Sequence, residues 1–414
     1  MATARQLRNL IFNLSFGSAL TVLAIAFLLV VVATPAQAQT FNVLHTFTGG
    51  QDGEYPTAGV TLDKAGNLYG TADEGGGTGN GTVYKLTHKG SGWTFNPLYA
   101  FAGGSDGAYP GARVIFGPNG TLYGPTSGGG TSSQGTVFNL RPSLTVCKTT
   151  LCPWTETVVY RFAGNPDGAY PGYGDLLFDR AGNIYGTTLE GGNSNVGTVY
   201  ELTPSGSAWT ESVLYSFSGN DGSYPESGLV PDNAGNLYGT TYGGGLGGGT
   251  VYELTPSGSG WTEKVLYNFR TGTDGGAPIA GLIFDPSGNL YGATTDGGPG
   301  GAGTVFKLTP SGGSWTYSLL YSFAALSQCG PWATLVMDGA GNLYGTTLCA
   351  PEHGFGSVFE LTPSGPPWTY TSLHDFTGGT DGGRPISNVV IDPVSGNLYG
   401  TTSGFAVVWE ITFP

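Results

Sequence analysis

The chain has 414 residues and a formal net charge of −14 at pH 7, and only 10% of its residues are charged. This acidic balance argues against partners such as nucleic acid or an anionic membrane surface. Glycine is frequent, but aromatic and aliphatic residues recur in register between the glycines, which indicates a packed core and not a disordered chain.

The first 38 residues have the organisation of a secretory signal peptide. Arg5 and Arg8 precede an apolar stretch over residues 19–32, and Ala36-Gln37-Ala38 forms a small-x-small cleavage pattern. Cleavage there takes the formal charge from −14 to −16, because both leader arginines are lost. We therefore expect a secreted protein, extracellular or periplasmic, with no membrane insertion after cleavage. The alternative is an uncleaved membrane anchor, since the apolar stretch approaches spanning length.

One phrase, Asn-Leu-Tyr-Gly with small variations, returns along the rest of the chain. Successive copies lie 53–55 residues apart by subtraction, except for one gap of 62 residues. A repeat of this length signals a solenoid, a propeller or an array, and it outranks any local pattern. The tyrosines of the phrase are Tyr69, Tyr123, Tyr185, Tyr238, Tyr291, Tyr344 and Tyr399.

Each copy lies in a unit of four strand-like runs. Around Tyr291 the runs cover residues 279–285, 289–295, 303–309 and 315–323, and they are short and rich in β-branched and aromatic residues. Asp-x-x-Gly-Asn and Thr-Pro-Ser-Gly join them as hairpin turns. Seven such units predict an all-β fold, a single seven-bladed β-propeller of four-stranded antiparallel blades over residues 39–414. The predicted blades are 57–101, 111–162, 172–217, 226–269, 279–323, 332–376, and 386–412 plus 39–47.

The two ends of the repeat region are complementary. The last unit stops after its third run, at Val407-Val408-Trp409-Glu410-Ile411-Thr412, whereas residues 39–47 look like a fourth run with no blade before it. We therefore predict that the N-terminal strand completes the last blade and closes the ring, which removes exposed edges. An open solenoid is the alternative, and it would leave both ends unpaired.

Four cysteines in an exported chain predict two disulfides. Cys147 and Cys152 share the one insertion that lengthens the second unit. Cys329 lies in the loop that enters the sixth blade, and Cys349 follows the second run of that blade, so antiparallel pairing brings them together. We predict Cys147–Cys152 and Cys329–Cys349.

Six of the seven loops that enter the blades share the phrase Asp-Gly-x-x-Pro, which suits a turn before a strand and favours a scaffold role, whereas the sixth blade has Ser327-Gln-Cys-Gly-Pro331. The residue before proline is tyrosine in blades one to four, whereas Ala277, Gly330 and Arg384 hold that position in blades five to seven. Exposed tyrosines on one sector would stack on sugar rings or another apolar partner. The alternative is that each tyrosine packs on its own proline and the next blade. The candidate ligand-binding residues are Tyr55, Tyr109, Tyr170, Tyr224 and Arg384.

Glycine-rich loops follow the second runs but lack Gly-Lys-Ser/Thr, so they do not predict a phosphate site. The oxygen ligands of Asp73, Glu74, Glu190 and Asp296 would suit calcium, although no spacing matches a known calcium loop. We predict no other cofactor.

The sequence points to no catalytic centre. His-Glu-x-x-His does not occur, and we assign no catalytic residue. A carboxylate pair for glycoside cleavage stays open. His45 and His374 hold a position that is tyrosine in most units, which predicts a structural role. Periodic tryptophans at the start of the fourth runs are predicted to pack blades together; they are Trp93, Trp154, Trp209, Trp261, Trp315 and Trp368.

The phrases Gly-Asn-Leu-Tyr-Gly-Thr-Thr, Gly-Thr-Val-Tyr-Glu-Leu-Thr-Pro-Ser-Gly and Val-Leu-Tyr-Ser-Phe resemble the GloVer (Gloeobacter/Verrucomicrobia-type) tandem repeats of secreted bacterial proteins. The resemblance covers nearly all of residues 39–414. It implies export and a repeat fold of β-propeller type, and it transfers no catalytic residues. The Asp-x-x-Gly-Asn-Leu-Tyr turn also resembles that of NHL and gluconolactonase-like propellers, over one hairpin only.

We expect a non-catalytic binding or scaffold propeller whose working surface is the face with the Asp-Gly-x-x-Pro loops. The expected partners are a polysaccharide, cell-envelope material or another protein, and the chain is expected to be a monomer. The alternative is a metal-assisted extracellular hydrolase or lyase with an acidic site near the central opening. A chelator would abolish the function of such an enzyme and would leave the binding module unchanged.

Overall fold

The computed structural model describes residues 39–90, 92–143, 154–258, 260–324, 329–349 and 353–414. Phe41–Ile411 form one compact unit. The described part of a second, small unit is residues 39–40 and Thr412–Pro414, in which the Thr412 hydroxyl donates a hydrogen bond to the carbonyl of Thr40 at 3.4 Å. Within the described residues, no helix has the length and apolarity needed to cross a membrane.

Seven four-stranded antiparallel sheets confirm the predicted propeller. A two-stranded ribbon, Gly168–Ala169 with Glu190–Gly191, accompanies the third blade. In chain order, the strands are Val60–Leu62, Leu68–Ala72, Thr82–Lys89 and Gly92–Ala100 in blade one; Ile115–Phe116, Leu122–Thr126, Thr136–Arg141 and Thr155–Arg161 in blade two; Leu177–Phe178, Ile184–Thr188, Thr198–Ser205 and Ala208–Ser216 in blade three; Val230–Pro231, Leu237–Thr241, Thr250–Ser257 and Gly260–Asn268 in blade four. The remaining strands are Ile283–Phe284, Leu290–Thr294, Gly301–Ser311 and Ser314–Ala324 in blade five; Val336–Met337, Leu343–Thr347, Ser357–Thr362 and Thr369–Asp375 in blade six; and Val390–Ile391, Leu398–Thr402, Val407–Thr412 and Thr40–Thr46 in blade seven.

The repeated phrase folds as a hydrogen-bonded hairpin followed by a buried strand. In blade five the Asp285 carboxylate accepts bonds from the Asn289 backbone N–H at 2.9 Å, from the Asn289 side chain at 2.6 Å and from the Tyr291 hydroxyl at 3.1 Å. The next residue, Gly292, has no room for a side chain, because an added Cβ would lie 2.6 Å from the Phe306 ring. The phrase therefore encodes both a turn and a close approach of two strands.

Blades pack through their aromatic residues, as the periodic tryptophans predicted. The Trp368 ring lies 6.2 Å from that of Tyr291 in the preceding blade, and Trp315 lies 6.1 Å from Tyr238 in the same way. The core cluster between blades four and five contains buried Phe269 from one blade and Phe306 from the other. Burial of this shared aromatic surface ties each blade to the next.

A ring of threonine hydroxyls adds polar links between neighbouring blades. Each threonine follows the Tyr-Gly of a second strand and donates a hydrogen bond to a backbone carbonyl at the entry of the next blade. Blades two and five lack such a link at this position, because Pro125 and Ala293 stand there. The links are Thr71 to Ala112 at 3.0 Å, Thr187 to Ser227 at 2.9 Å, Thr240 to Ala280 at 3.0 Å, Thr346 to Ser387 at 3.1 Å and Thr401 to Pro56 at 2.7 Å.

The N-terminal strand completes the last blade, as predicted from the complementary ends. The backbone N–H of Phe47 donates to the carbonyl of Ala406 at 3.0 Å, and the ring of Phe41 stacks on His374 at 3.7 Å. The Cys329–Cys349 disulfide is also confirmed, with its Cα atoms 4.8 Å apart. The predicted Cys147–Cys152 pair lies outside the described residues and stays a prediction.

Candidate functional site

The loops that enter the blades lie on the same face as the loops that follow the second strands. Antiparallel bridges join them within a blade, as between Glu54 and Glu74 and between Ala108 and Gly128. We call this surface the entry face. It carries most of the exposed large hydrophobic side chains of the described residues, namely Tyr55, Tyr109, Tyr173, Tyr224, Tyr242, Leu246 and Phe405.

The entry-face tyrosines have a left-handed backbone. Tyr55, Tyr109, Tyr170 and Tyr224 have φ values between 53° and 59°, a region that costs a side-chain-bearing residue about 1–2 kcal/mol. Ala277 and Arg384 share this conformation, at 53° and 54°.

Neighbouring loops hold this strained backbone at both ends. The N–H of Tyr109 donates to the carbonyl of Asn80 in the preceding blade at 3.0 Å, and the carbonyl of Tyr109 accepts from the N–H of Ser127 at 3.0 Å. Tyr55, Tyr109 and Tyr224 remain 43%, 41% and 37% exposed, and Tyr170 is half-buried. Packing on neighbouring residues therefore covers only part of each tyrosine.

Two clefts open between blades on the entry face. One of about 440 Å³ lies between blades two and three, and its aromatic lining is Tyr109, Tyr170 and Tyr173. We call it the tyrosine cleft. The other, of about 690 Å³, includes Tyr55 and Arg384. The structure thus brings four of the five predicted ligand residues into two clefts, whereas Tyr224 lines neither.

A third cavity of about 490 Å³ lies where all seven blades converge. Its lining includes the entry segments of the first strands: Ala58, Ala112, Leu176, Ser227, Ala280, Thr334 and Asn388, one from each blade in order. We call it the axial cavity. Ser127 and Tyr173 line both this cavity and the tyrosine cleft, so the two spaces are neighbours.

A polar network crosses the axial cavity. The Arg113 guanidinium donates to one Asp175 oxygen at 2.8 and 2.6 Å, and the Asn388 amide donates to the same oxygen from blade seven at 3.2 Å. Asn388 in turn accepts from the N–H of Thr334 at 2.8 Å. The Arg113 charge is therefore neutralised by Asp175 within the cavity.

Asp73 and Glu226 also line the axial cavity, and they have no such partner. Within the described part of the chain, neither carboxyl makes a hydrogen bond or an ion pair. Burial raises the pKa of Glu226 to about 7, and burial together with the neighbouring Glu74 charge raises the pKa of Asp73 to about 6. The pKa of Tyr173, a residue that is 53% exposed, is raised by partial burial and then by the charges of Glu226 and Asp73. The mouth of the cavity is therefore electronegative.

Of the cavity residues, Arg113, Asp175 and Glu226 were not predicted from the sequence, although the repeats held a signal for Arg113 and Asp175. Six blades have seven residues from the entry proline to the end of the first strand, whereas blade three has eight, so Asp175 lies three residues before the end of that strand, as Arg113 does in blade two. Arg113 stands where Gly59, Gly228 and Gly281 stand in other blades. A comparison of the repeats at the position three residues before the end of this strand would have found both departures.

The two predicted structural histidines contact aspartates of the loops that enter the blades. His45 contacts the Asp52 carboxylate at 3.2 Å, and His374 contacts Asp381 at 3.2 Å. The hydroxyl of Tyr99 donates to Asp106 in the equivalent place at 3.0 Å. These hydrogen bonds support the scaffold interpretation of these loops, which stays a prediction.

The candidate calcium ligands do not converge. Across the ranges that the structure describes, no group of three or more His, Cys, Asp or Glu residues is placed to hold a metal ion. Asp73 lines the axial cavity, whereas Glu74 is exposed outside it.

A family model described as the Gloeobacter/Verrucomicrobia repeat matches residues 30–246, 143–330 and 244–407 of the chain. These matches span nearly all of the blades. No curated protein matches the sequence.

Solved structures are similar to the chain at low identity. A gluconolactonase from Xanthomonas campestris is 15% identical, with 92% of this chain and 93% of that chain covered and a TM-score of 0.43. A candidate 6-phosphogluconolactonase from Bacteroides uniformis is 14% identical, with 77% and 84% covered and a TM-score of 0.48. A candidate glucose dehydrogenase from Thermus thermophilus is 16% identical, with 72% and 95% covered and a TM-score of 0.43. At these values the likeness carries no argument about chemistry.

Proposed function

The chain belongs to the Gloeobacter/Verrucomicrobia repeat family, and we propose that it is an exported, monomeric binding propeller for carbohydrate of the cell envelope or its surroundings. The observation that carries this proposal is the tyrosine cleft. Three tyrosines line one space on the entry face, and two of them have a strained left-handed backbone. Strain that the fold maintains at exposed aromatics is typical of binding surfaces.

Stacking on tyrosine suits the apolar faces of a sugar ring, while Asn80, Ser133 and backbone groups of Gly128 and Gly129 in the same cleft offer hydrogen bonds to its hydroxyls. The second cleft supplies Tyr55 and Arg384 for a further unit of an extended ligand. A disulfide within blade six is compatible with an oxidising compartment.

The test is a thermal melt of residues 39–414 against a panel of polysaccharides, with calcium and with chelator. A ligand that binds only the folded state raises the melting temperature. We expect a shift with at least one glycan that is insensitive to chelator. The double variant Tyr109→Ala/Tyr170→Ala should lower the affinity for that glycan by about tenfold or more, since each lost stacking contact is worth about 0.5–1.5 kcal/mol.

Tyr242→Ala is the matched control, because Tyr242 is 42% exposed on the same face and lines neither cleft. Equal loss in the control and the double variant would remove the tyrosine cleft from the proposal. A panel without any shift would argue against carbohydrate and leave another protein as the partner class.

A second candidate is a hydrolase or lyase that acts in the axial cavity. It is favoured by Asp73 and Glu226, because their raised pKa values near 6 and 7 suit general acid–base catalysis near neutral pH. Release of reducing ends from a glycan that binds, lost in Glu226→Gln, would support this candidate.

A further inference from the structure

We propose that the axial cavity binds a protonated amine carried by a saccharide, so that the preferred ligands are amino sugars with a free amine. This inference rests on the carbohydrate-binding function proposed above and names the class of sugar for a subsite beside the tyrosine cleft.

The first observation is an imbalance of charge inside a built cavity. Four ionisable side chains other than tyrosine line it, and Arg113 is the one cation among them in the described residues. Arg113 is already bound by two of its nitrogens to Asp175, which also accepts from Asn388. Asp73 and Glu226 thus face a 490 Å³ space without a counter-charge. A desolvated carboxylate without a partner is unfavourable, and a cation that enters the space removes that cost.

The second observation is the aromatic ring at the mouth. Tyr173 lines the cavity and the tyrosine cleft, and it is 53% exposed. A ring face beside two carboxyls attracts an ammonium group through the ring quadrupole as well as through charge. A sugar that stacks in the tyrosine cleft would bring a substituent to the cavity mouth, because both spaces share Tyr173 and Ser127.

The third observation is the composition of the rest of the wall. The cavity also presents Thr57, Thr334 and the apolar side chains Ile279 and Ile386. This mixture suits an ammonium group carried by a sugar ring, whose faces are apolar. A bare metal ion fits less well, because no three His, Cys, Asp or Glu residues in the described part of the chain are grouped to bind one. The overall negative charge of the chain favours the approach of a cationic oligosaccharide.

The experiment compares two probes of equal length by calorimetry: a fully deacetylated glucosamine oligosaccharide and the corresponding N-acetylglucosamine oligosaccharide. The protein is the chain 39–414 and the variants Asp73→Asn, Glu226→Gln and Glu74→Gln. Glu74→Gln is the matched control, because it removes the same charge one residue away, on a side chain that is exposed outside the cavity.

We expect the wild type to prefer the amine probe by about tenfold or more, as for a charge-assisted hydrogen bond. Asp73→Asn and Glu226→Gln should each abolish most of that preference, and Glu74→Gln should keep it. The preference should shrink when sodium chloride is raised from about 0.05 M to about 0.5 M, because salt screens the ion pair. Melting temperatures of both cavity variants should not fall, since each loses an unpaired carboxyl, so weaker binding will not reflect unfolding.

Equal affinity for the two probes, unchanged in the cavity variants, would overturn the amine inference and leave carbohydrate binding in place. Binding of a different glycan from the panel with no affinity for either probe would do the same. Absence of binding to every glycan would remove the proposed function as well, so the two failures are distinguishable.

Discussion

At the scale of single residues, the same backbone position serves different side chains around the ring. Tyr109 and Arg384 have nearly the same φ, at 59° and 54°, and in both cases the N–H donates to a loop of the preceding blade. The conformation is therefore imposed by the loops and not by the side chain. The side chain of Tyr109 is therefore not needed for this backbone conformation and can serve a role other than folding.

This argument predicts a small stability effect for Tyr109→Gly. Relief of the left-handed strain, about 1 kcal/mol, is offset by the greater freedom of glycine in the unfolded chain, about 0.5–1 kcal/mol. The melting temperature should stay within a few degrees of wild type. Tyr242→Gly is the control at an exposed tyrosine without a positive φ, and it should lower the melting temperature more. A larger fall for Tyr109→Gly would show that the ring contributes to packing, as the proline-packing alternative holds.

At the scale of the blade, the fourth strands come in two kinds. In blades one, five, six and seven, aromatic residues stack on the outer strand of the preceding blade, as Tyr317 does on Tyr267 at 4.7 Å. In blades two, three and four the same position is Glu156, Glu211 or Glu263, each with a buried carboxyl oxygen that lacks a partner in the described structure. The blades therefore share one backbone but differ in what joins their outer edges.

The threonine ring predicts a specific cost when one link is lost. Thr187→Val keeps the shape of the side chain but leaves the buried carbonyl of Ser227 without its donor at 2.9 Å. We expect a loss of about 1–3 kcal/mol in the free energy of unfolding, measured by urea denaturation. Thr203→Val, at an exposed strand position, should change it by less than about 0.5 kcal/mol. If the two variants behave alike, the hydroxyl link does not hold the blades together.

The sequence predicted the blades, the closure and one disulfide because each depends on the register of the repeat. Tyr291 and its siblings mark the second strands, and the end at Thr412 shows which strand is missing. The left-handed tyrosines were not foreseen, because a residue before proline ordinarily favours an extended backbone. The axial cavity was not foreseen either, since the Arg113–Asp175 pair joins two blades at a position that is glycine in three other blades.

At the scale of the whole molecule, proton binding links these features to stability. Burial, then the charges of nearby aspartates, raises the pKa values of Glu156, Glu211 and Glu263 to about 7. A carboxyl whose pKa is higher in the folded state than in the unfolded state favours folding when protonated. Its contribution is fully present below the unfolded value of about 4.5 and is lost as pH rises through about 7. Asp73 and Glu226 act in the same direction.

Two histidines oppose this trend. Burial lowers the pKa values of His45 and His374, so their contribution is present above the unfolded value of about 6.5 and is lost as pH falls from there through the lowered folded value. Aspartates with a lowered pKa, such as Asp63 and Asp285, matter only near and below pH 4, where their unfolded forms take up protons. Between pH 5 and 8, the five carboxyls with a raised pKa outnumber the two histidines with a lowered pKa, so the carboxyls decide how the stability of the fold changes with pH.

We therefore expect the melting temperature to rise as the pH falls from 8 to 5. The triple variant Glu156→Gln/Glu211→Gln/Glu263→Gln should be more stable than wild type at pH 8 and should show a flatter profile. Calorimetric melts at half-unit steps of pH would measure this. A wild-type melting temperature that falls steadily as the pH is lowered from 8 to 5 would contradict the conclusion that these glutamates destabilise the folded state when ionised.

The closing strand also sets the timing of folding. Phe47 pairs with Ala406, so the contact that completes the ring joins residues from opposite ends of the chain. Such a contact closes a very long loop and forms late, because the entropy of closure must be met before the pairing stabilises anything. Until then, the third strand of blade seven is an open edge with backbone groups available to any other strand. The chain is thus most exposed to aggregation before Thr40–Thr46 pairs with Val407–Thr412. A chaperone that covers the single strand Val407–Thr412 during this interval would protect the whole ring.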